Sequence, residues 1–317
     1  MGKVTVIGGG GFLGRYLIRR LAEQGQAVRV AVRDPEAASY LKPMGDVGQV
    51  QAVQANIRNQ ASINRAVAGA DCVINLAGVM FPGGAQSFQA VHVDGAETVA
   101  QAAANGGAGR LIHVSALGAD EDSTSKYVRS KAAGEAAVRE ICPAAIIVRP
   151  STIFGPEDKF FNLFAWIATL SPVMPLIGGG KNRLQPIYVG DVAQAIAAIT
   201  ALTTDDQTAG SIYELGGPQN LTMAELMTMV CEQTGRNRPG VPVPYALAKL
   251  KAFFLALTPW DILTMDQVEM LKTDNVVSGD LPGLDDLGIT PTALDAILPA
   301  YLHRYRRAGR LPSTEQV

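Results

Sequence analysis

Along the first 150 residues, short apolar runs alternate with amphipathic stretches. The runs at 4–7, 27–32, 51–54, 72–76, 111–114 and 145–148 have strand length and are rich in Val, Ile, Leu and Ala. Between them, 12–24, 63–68, 95–104 and 127–141 carry the spacing of helices with one apolar face. This rhythm of strand and helix predicts an α/β fold with a doubly wound parallel sheet covered by helices on both faces. After Arg149 and Pro150 the rhythm breaks. Residues 154–184 are richer in Pro and Gly and are expected to leave the sheet. Short strands are expected at 186–189 and 211–215, with a helix at 192–202 between them, and mainly helices and turns follow from Leu221. The predicted organisation is a domain of residues 1–155, to which 185–216 return. A smaller, mostly helical C-terminal lobe of 156–184 and 217–317 lies over the carboxyl ends of the strands, where ligands bind in such sheets.

Composition narrows the classes of function. The 317 residues are 48% hydrophobic and 18% charged, with a net charge of −2, so no polyanionic partner such as nucleic acid is implied. Cys72, Cys142 and Cys231 are too scattered for a disulfide framework or a metal site. The first strand follows Met1 almost at once and is expected to leave no room for a signal or transit peptide. No apolar run reaches the roughly 18–20 residues that span a bilayer. The nearest is 245–257, which Lys249 and Lys251 interrupt and Pro259 ends. It reads as an apolar helix lying on core, on a partner or on a membrane surface. Trp260 and the Phe253–Phe254 pair are expected either to anchor at such an interface or to be buried in the lobe.

Gly8-Gly9-Gly10-Gly11-Phe12-Leu13-Gly14 follows the first strand and opens the first helix. Gly8 permits a tight turn, Gly11 lets backbone approach a pyrophosphate, and Gly14 lets the helix pack closely on the sheet. The helix N-terminus offers free N–H groups and a positive dipole to phosphates. These features predict a Rossmann-type dinucleotide site, with Gly10, Phe12 and Leu13 completing the loop. At the end of the second strand, where an acidic residue would hold the ribose of NAD, stands Arg33, with Arg15 nearby on the first helix. A guanidinium pairs with a 2′-phosphate in bidentate fashion, which favours NADP(H) over NAD(H). The other possibility is that Arg33 is a solvated loop charge and Asp34 meets the hydroxyl. Asn56 and Ile57 follow the third strand, where the adenine is expected, and Leu76, Ala77 and Gly78 end the fourth, where backbone would face the cofactor.

Tyr127 and Lys131 lie four residues apart, on one face of a helix. Such an ammonium stabilises tyrosinate and holds the nicotinamide ribose. Free tyrosine titrates near ~10, so acid/base work near neutrality needs a drop of roughly 2–3 units. A third member, a Ser or Thr that hydrogen-bonds the substrate oxygen, is expected just past the fifth strand. Ser115 occupies the first hydroxyl position there, but Ala116 and Leu117 follow it, and neither side chain donates a hydrogen bond. Losing one such donor costs roughly 10²–10³ in rate. A catalytic set of Tyr127, Lys131 and Ser115 is therefore vestigial unless Ser115 shifts into the role. His113, in mid-strand, reads as a core or edge histidine, and Asp191 as the cap of a helix starting at Val192.

With these residues in hand, the chain resembles the atypical, extended short-chain dehydrogenases/reductases, and within them the nucleotide-binding accessory subunit of respiratory complex I in its bacterial form. The stretches that carry the likeness are GFLGRY (11–16), IHVSAL (112–117), YVRSK (127–131), IIVRPSTIFG (146–155), QPIYVGDV (185–192) and YELGGP (213–218). The discriminating stretch is LTMDQVEMLKTDNVVS (263–278). The resemblance implies a tightly bound NADPH that does not turn over. It also implies docking, through the C-terminal lobe, on other complex I subunits near the quinone site and the membrane surface. The expected location is the cytoplasmic face of a bacterial inner membrane. Pro150, Ser151 and Ile153 are expected beside the nicotinamide, and no metal is implied. The competing readings are an active NADP(H)-dependent oxidoreductase or epimerase acting on a carbonyl or sugar-nucleotide substrate, and a partner in quinone biosynthesis or assembly.

Overall fold

The computed structural model describes residues 2–202, 208–255 and 263–306, with Phe254 and Leu255 described by their backbone only. Trp260 and the end of the 245–257 stretch lie outside the described residues. The chain forms two compact units: one of residues 1–150, 189–215 and 278–290, the other of 151–188, 216–277 and 291–317.

The first unit is the α/β body. Strands β1 (Lys3–Ile7), β2 (Ala27–Val32), β3 (Val50–Gln54), β4 (Cys72–Asn75), β5 (Arg110–Val114) and β6 (Ile146–Pro150) alternate with helices α1 (Phe12–Glu23), α2 (Gln60–Val67), α3 (Asp94–Asn105) and α4 (Lys126–Ile141). A seventh strand, Ile212–Leu215, pairs with β6. The sheet order is Ile212–Leu215, β6, β5, β4, β1, β2, β3, and every pairing is parallel. The order reverses between β1 and β4, so the loops leaving those two strands open a crevice at their carboxyl ends. Both faces of the sheet are covered. Val6, Val30, Val73, Ile74, Ile112, Ile147 and Val148 are fully buried, as are Leu17, Ile18 and Leu21 of α1.

The helix expected at 192–202 begins at Val189. Val189 is fully buried and extends the apolar face, which shortens the preceding strand to Ile187–Tyr188 in the second unit. Asp191 is therefore a first-turn residue rather than a cap, where its carboxylate favours the positive end of the helix dipole. The far end of this helix is closed by Arg110 at the start of β5. Its guanidinium donates to the carbonyls of Ile199 at 2.6 Å, Thr200 at 3.0 Å and Leu202 at 2.8 Å.

In the second unit, helices Phe160–Leu170, Met223–Gln233 and Leu294–Leu302 enclose Phe154, Phe161, Met174, Leu226, Val230 and Leu298. Asp158 is buried and fully engaged. It accepts from the Tyr301 hydroxyl at 2.5 Å and from the N–H groups of Gly155 and Asn162 at 3.1 and 3.2 Å. Helix Met223–Gln233 opens on a reciprocal cap between Thr222 and Glu225, and helix Met265–Met270 on one between Thr264 and Gln267.

The apolar helix Tyr245–Leu255 lies on Met265–Met270 through buried Ala248, Ala252 and Val268. Glu269 pairs with both Lys249 and Lys272, and the Tyr245 hydroxyl donates to the Leu271 carbonyl at 3.2 Å. The opposite face leaves Leu247, Leu250 and Phe253 more than half exposed.

Candidate nucleotide site

The glycine loop leaves β1 at the crevice. Gly8 adopts φ +76°, and a Cβ there would stand 3.1 Å from the backbone of Ala77, so the loops leaving β1 and β4 meet backbone to backbone. Gly14 is excluded from carrying a side chain by a different contact: its Cβ would fall 2.1 Å from the Gly9 carbonyl. Gly9, which sequence reasoning passed over, is held glycine by packing, since its Cβ would meet Val30 at 2.8 Å. Gly11 differs from all of these. It is exposed, and its Cβ would find only the Gly8 carbonyl, at 3.6 Å. The protein's own atoms do not demand glycine at 11. Gly11 is also the N-cap of α1, with no side-chain cap and no acidic residue in the first turn. Phe12 packs edge-on to Tyr16, and Leu13 is buried beneath the loop.

Beyond β2, Arg33 is exposed and has no partner among the described residues. The Asp34 carboxylate accepts from the N–H groups of Glu36 and Ala37 at 3.0 and 3.1 Å and so caps its own turn. Tyr40, a residue without a sequence signal, donates its hydroxyl to the Gly10 carbonyl at 3.0 Å and lies under the Arg15 guanidinium, 5.4 Å from the ring centroid. Past β3, the Asn56 side-chain oxygen accepts from Arg58 N–H at 3.1 Å, while Ile57 packs on the core where Gly95 makes room for it.

Past β4, the Ala77 N–H donates to the Asn75 side chain at 3.1 Å, and the Val79 N–H donates to His92 Nε2 at 2.9 Å. Leu76 and Ala77 are partly exposed at the crevice, and Gly78 is exposed. Asn75 also bonds His113 Nδ1 at 3.2 Å, which makes His113 a buried core histidine held neutral by desolvation.

Tyr127 and Lys131 lie on α4, capped by the Ser125 hydroxyl. The Tyr127 ring is half-buried and meets Phe88 and His92 edge-on, at 5.8 and 5.5 Å between centroids. Lys131 is buried, and its ammonium donates to the Val114 carbonyl at 2.9 Å. One turn on, Glu135 receives Arg149 at 3.0 and 2.7 Å, and Arg149 lies 3.8 Å from Glu214. Desolvation pushes Lys131 down to about 8, against an upward pull from Glu135. Burial pushes the Tyr127 phenol up to about 12. The ammonium is aimed at a backbone carbonyl, and the rise comes from desolvation of the phenol.

Ser115 is buried, and its hydroxyl has no hydrogen-bond partner among the described residues. Its N–H continues the β6 pairing onto the Val148 carbonyl at 2.8 Å, and Leu117, also buried, follows onto the Pro150 carbonyl at 3.0 Å. Pro150 ends β6 within the first unit. Ser151 and Ile153 belong to the second, where the Ser151 hydroxyl donates to the Asn275 side chain at 2.7 Å and Ile153 pairs with Ile187. His92 is the residue that sequence reasoning missed outright. A polar ring within the apolar stretch AVHVDGA was the signal that could have marked it.

An exposed glycine with no internal reason to be one, an uncapped helix N-terminus and an orphaned buried hydroxyl together fit a dinucleotide in this crevice. The chain belongs to the NAD dependent epimerase/dehydratase family, whose profile matches residues 4–216. Along nearly its whole length it is similar to the protein named NADH dehydrogenase (ubiquinone) 1 alpha subcomplex subunit 9, mitochondrial, of Arabidopsis thaliana, at 38% identity over 96% of this chain and 78% of that one. The Mus musculus protein of the same name is 37% identical over 95% and 80% of the two chains. Among solved structures, the triphenylmethane reductase of Citrobacter sp., complexed with NADP(H), shares the fold with a TM-score of 0.74 at 20% identity, over 94% of this chain and 99% of that one.

The two glycines separate by experiment. Gly14→Ala is expected to destabilise the protein by roughly 1–3 kcal/mol in thermal unfolding. Gly11→Ala is expected to cost under about 1 kcal/mol while abolishing nucleotide binding in a fluorescence titration. Equal melting losses would show that Gly11 is structural.

Lys131 makes a pH prediction. Holding this ammonium at about 8 instead of 10.5 costs the folded state about 3 kcal/mol at neutral pH. Between those values the unfolded chain binds the extra proton, so this cost falls as pH rises through the window. Lys131→Met is expected to stabilise the nucleotide-free protein at pH 7 by up to that amount, with an advantage that shrinks towards pH 10. Denaturant unfolding at several pH values checks it, and a pH-independent difference would refute it.

Proposed function

We propose that this chain is a non-catalytic, NADPH-holding accessory subunit of a respiratory NADH:quinone oxidoreductase, stabilising the peripheral arm near the quinone site. The observation that carries this reading is the similarity to the subunit 9 proteins over at least 95% of the chain. The site supports the non-catalytic part. Ala116 and Leu117 stand where a polarising hydroxyl belongs, and Leu117 is buried with its N–H already on Pro150. A bound nicotinamide supplies hydride chemistry where a substrate carbonyl is polarised, and no side chain at 116 or 117 does that here. The nucleotide serves as structure instead: held at about 1,000 times its dissociation constant, a ligand stabilises a fold by about 4 kcal/mol.

The preference for NADPH rests on Arg33. Asp34, the competing acceptor for a ribose hydroxyl, is engaged by its own turn, whereas Arg33 faces solvent with no partner among the described residues. Docking near the membrane is supported by the outward stripe of Leu247, Leu250 and Phe253, together with exposed Lys251, on a helix that carries no acidic residue. No helix among the described residues is long and apolar enough to cross a membrane, which suits a peripheral subunit. In a bacterium the peripheral arm stands on the cytoplasmic face of the inner membrane, and we place the chain there.

Gentle purification from native membranes tests the assignment. The expected result is a particle containing respiratory dehydrogenase subunits and stoichiometric NADPH that stays reduced. A free protein whose NADPH is oxidised on addition of carbonyl compounds would overturn it. For the cofactor, Arg33→Ala is expected to weaken NADPH binding at least about tenfold, the loss of one charge-assisted phosphate contact, with NADH unaffected. Equal effects on both nucleotides would remove Arg33 from the phosphate site.

A further inference from the structure

We infer that His92 is the positioning residue for the nicotinamide end of the site, a neutral imidazole that ties the loop leaving β4 to the Tyr127–Ser130 turn of α4. The inference rests on the nucleotide reading above and adds a residue to it.

The argument starts from a chain of hydrogen bonds that runs in one direction only. Val79 N–H donates to His92 Nε2 at 2.9 Å, so Nε2 carries no proton. His92 Nδ1 and the Ser130 hydroxyl are 2.8 Å apart, and that hydroxyl in turn donates to the Tyr127 carbonyl at 2.7 Å. Ser130 has one proton to give, so Nδ1–H must be the donor between them. Every donor and acceptor along the path is matched when the ring is neutral, and a second ring proton would set Nε2–H against Val79 N–H. Burial, reinforced by the Lys131 charge, holds the imidazole down at about 3, in agreement with a neutral ring.

The ring also acts by shape. It stacks on Phe88 at 5.3 Å, and both rings meet Tyr127 edge-on, so the tyrosine is held from two sides. The backbone is adapted to bring it there. Gln89–Val93, at the start of the helix that continues as α3, is a π turn, a departure from regular helix that recurs at functional sites. Directly opposite, Gly134 of α4 lets the helices approach so closely that a Cβ would fall 2.1 Å from the His92 carbonyl. His92 thus joins three walls of the crevice: the backbone at 77–79, the π turn and the face of α4 that carries Tyr127 and Lys131.

Full-length wild type, His92→Phe and His92→Gln are compared for binding of NADPH and of 2′,5′-ADP, which carries only the adenosine half. Phenylalanine keeps the ring packing and loses both hydrogen bonds, whereas glutamine restores an acceptor and a donor. The expected result is roughly tenfold weaker NADPH binding by His92→Phe, the scale of leaving polar groups unsatisfied, with 2′,5′-ADP binding unchanged and substantial recovery in His92→Gln. Ser130→Ala, which breaks the same path with a small change of shape, is expected to show a weaker loss of the same selectivity and stands in if His92→Phe does not fold. Equal weakening of both ligands, or a lowered melting temperature with unchanged NADPH affinity, would show a general structural role and overturn the inference while leaving the nucleotide reading intact. A wild-type protein that binds neither ligand would overturn both.

Discussion

The parallel pairing of β1 with β4 is the constraint on which the first unit depends. It is the point where the sheet reverses its order, and it brings two exit loops together at Gly8 and Ala77 with no side chain between them. A glycine at positive φ is required on one side and small residues on the other. The position of α1, the placement of its N-terminus over the crevice and the course of the 76–79 backbone all follow from that contact. The glycines of the loop divide accordingly. Gly8, Gly9 and Gly14 answer to the protein's own atoms, and Gly11 does not.

Around that frame the site is costly to the protein when empty. It holds a buried ammonium and a serine hydroxyl with no partner among the described residues. Buried polar groups of this kind are retained where a ligand or a function offsets them. The pair formed by Glu135 and Arg149 lessens the cost by placing a carboxylate one turn from Lys131, and Glu214 extends it to the seventh strand, where it also accepts from Ser278 N–H at 2.7 Å. Leu117, two residues past Ser115, is a buried aliphatic chain.

Much of this was legible in the residues. The strand periods located all six strands of the βαβ rhythm, because parallel strands buried on two faces leave a continuous apolar record that survives tertiary context. The glycine spacing and the Tyr127–Lys131 interval were equally legible, being local requirements of one turn and one helix face. The start of the helix at Val189 was misjudged: Val189 looks like the end of a strand until its place in the first turn of the helix is seen. Tyr40 and His92 were invisible for a related reason. Each acts on a residue far along the chain, Gly10 and Ser130 respectively, through contacts that no periodicity encodes.

The sequence by itself determined the class of fold, the glycine turn after β1 and the residue types available to bind a dinucleotide, since these follow from hydrophobic period and local backbone chemistry. Only the tertiary structure decided what those residues are in place to do. Burial moved Tyr127 and Lys131 in directions that their spacing alone does not give. The turn after β2 ties one oxygen of Asp34 to its own backbone and leaves Arg33 facing solvent. The close approach of α3 to α4 turned an unremarked histidine into the link between them, because desolvation and direction of hydrogen bonding exist only once distant segments have been brought together.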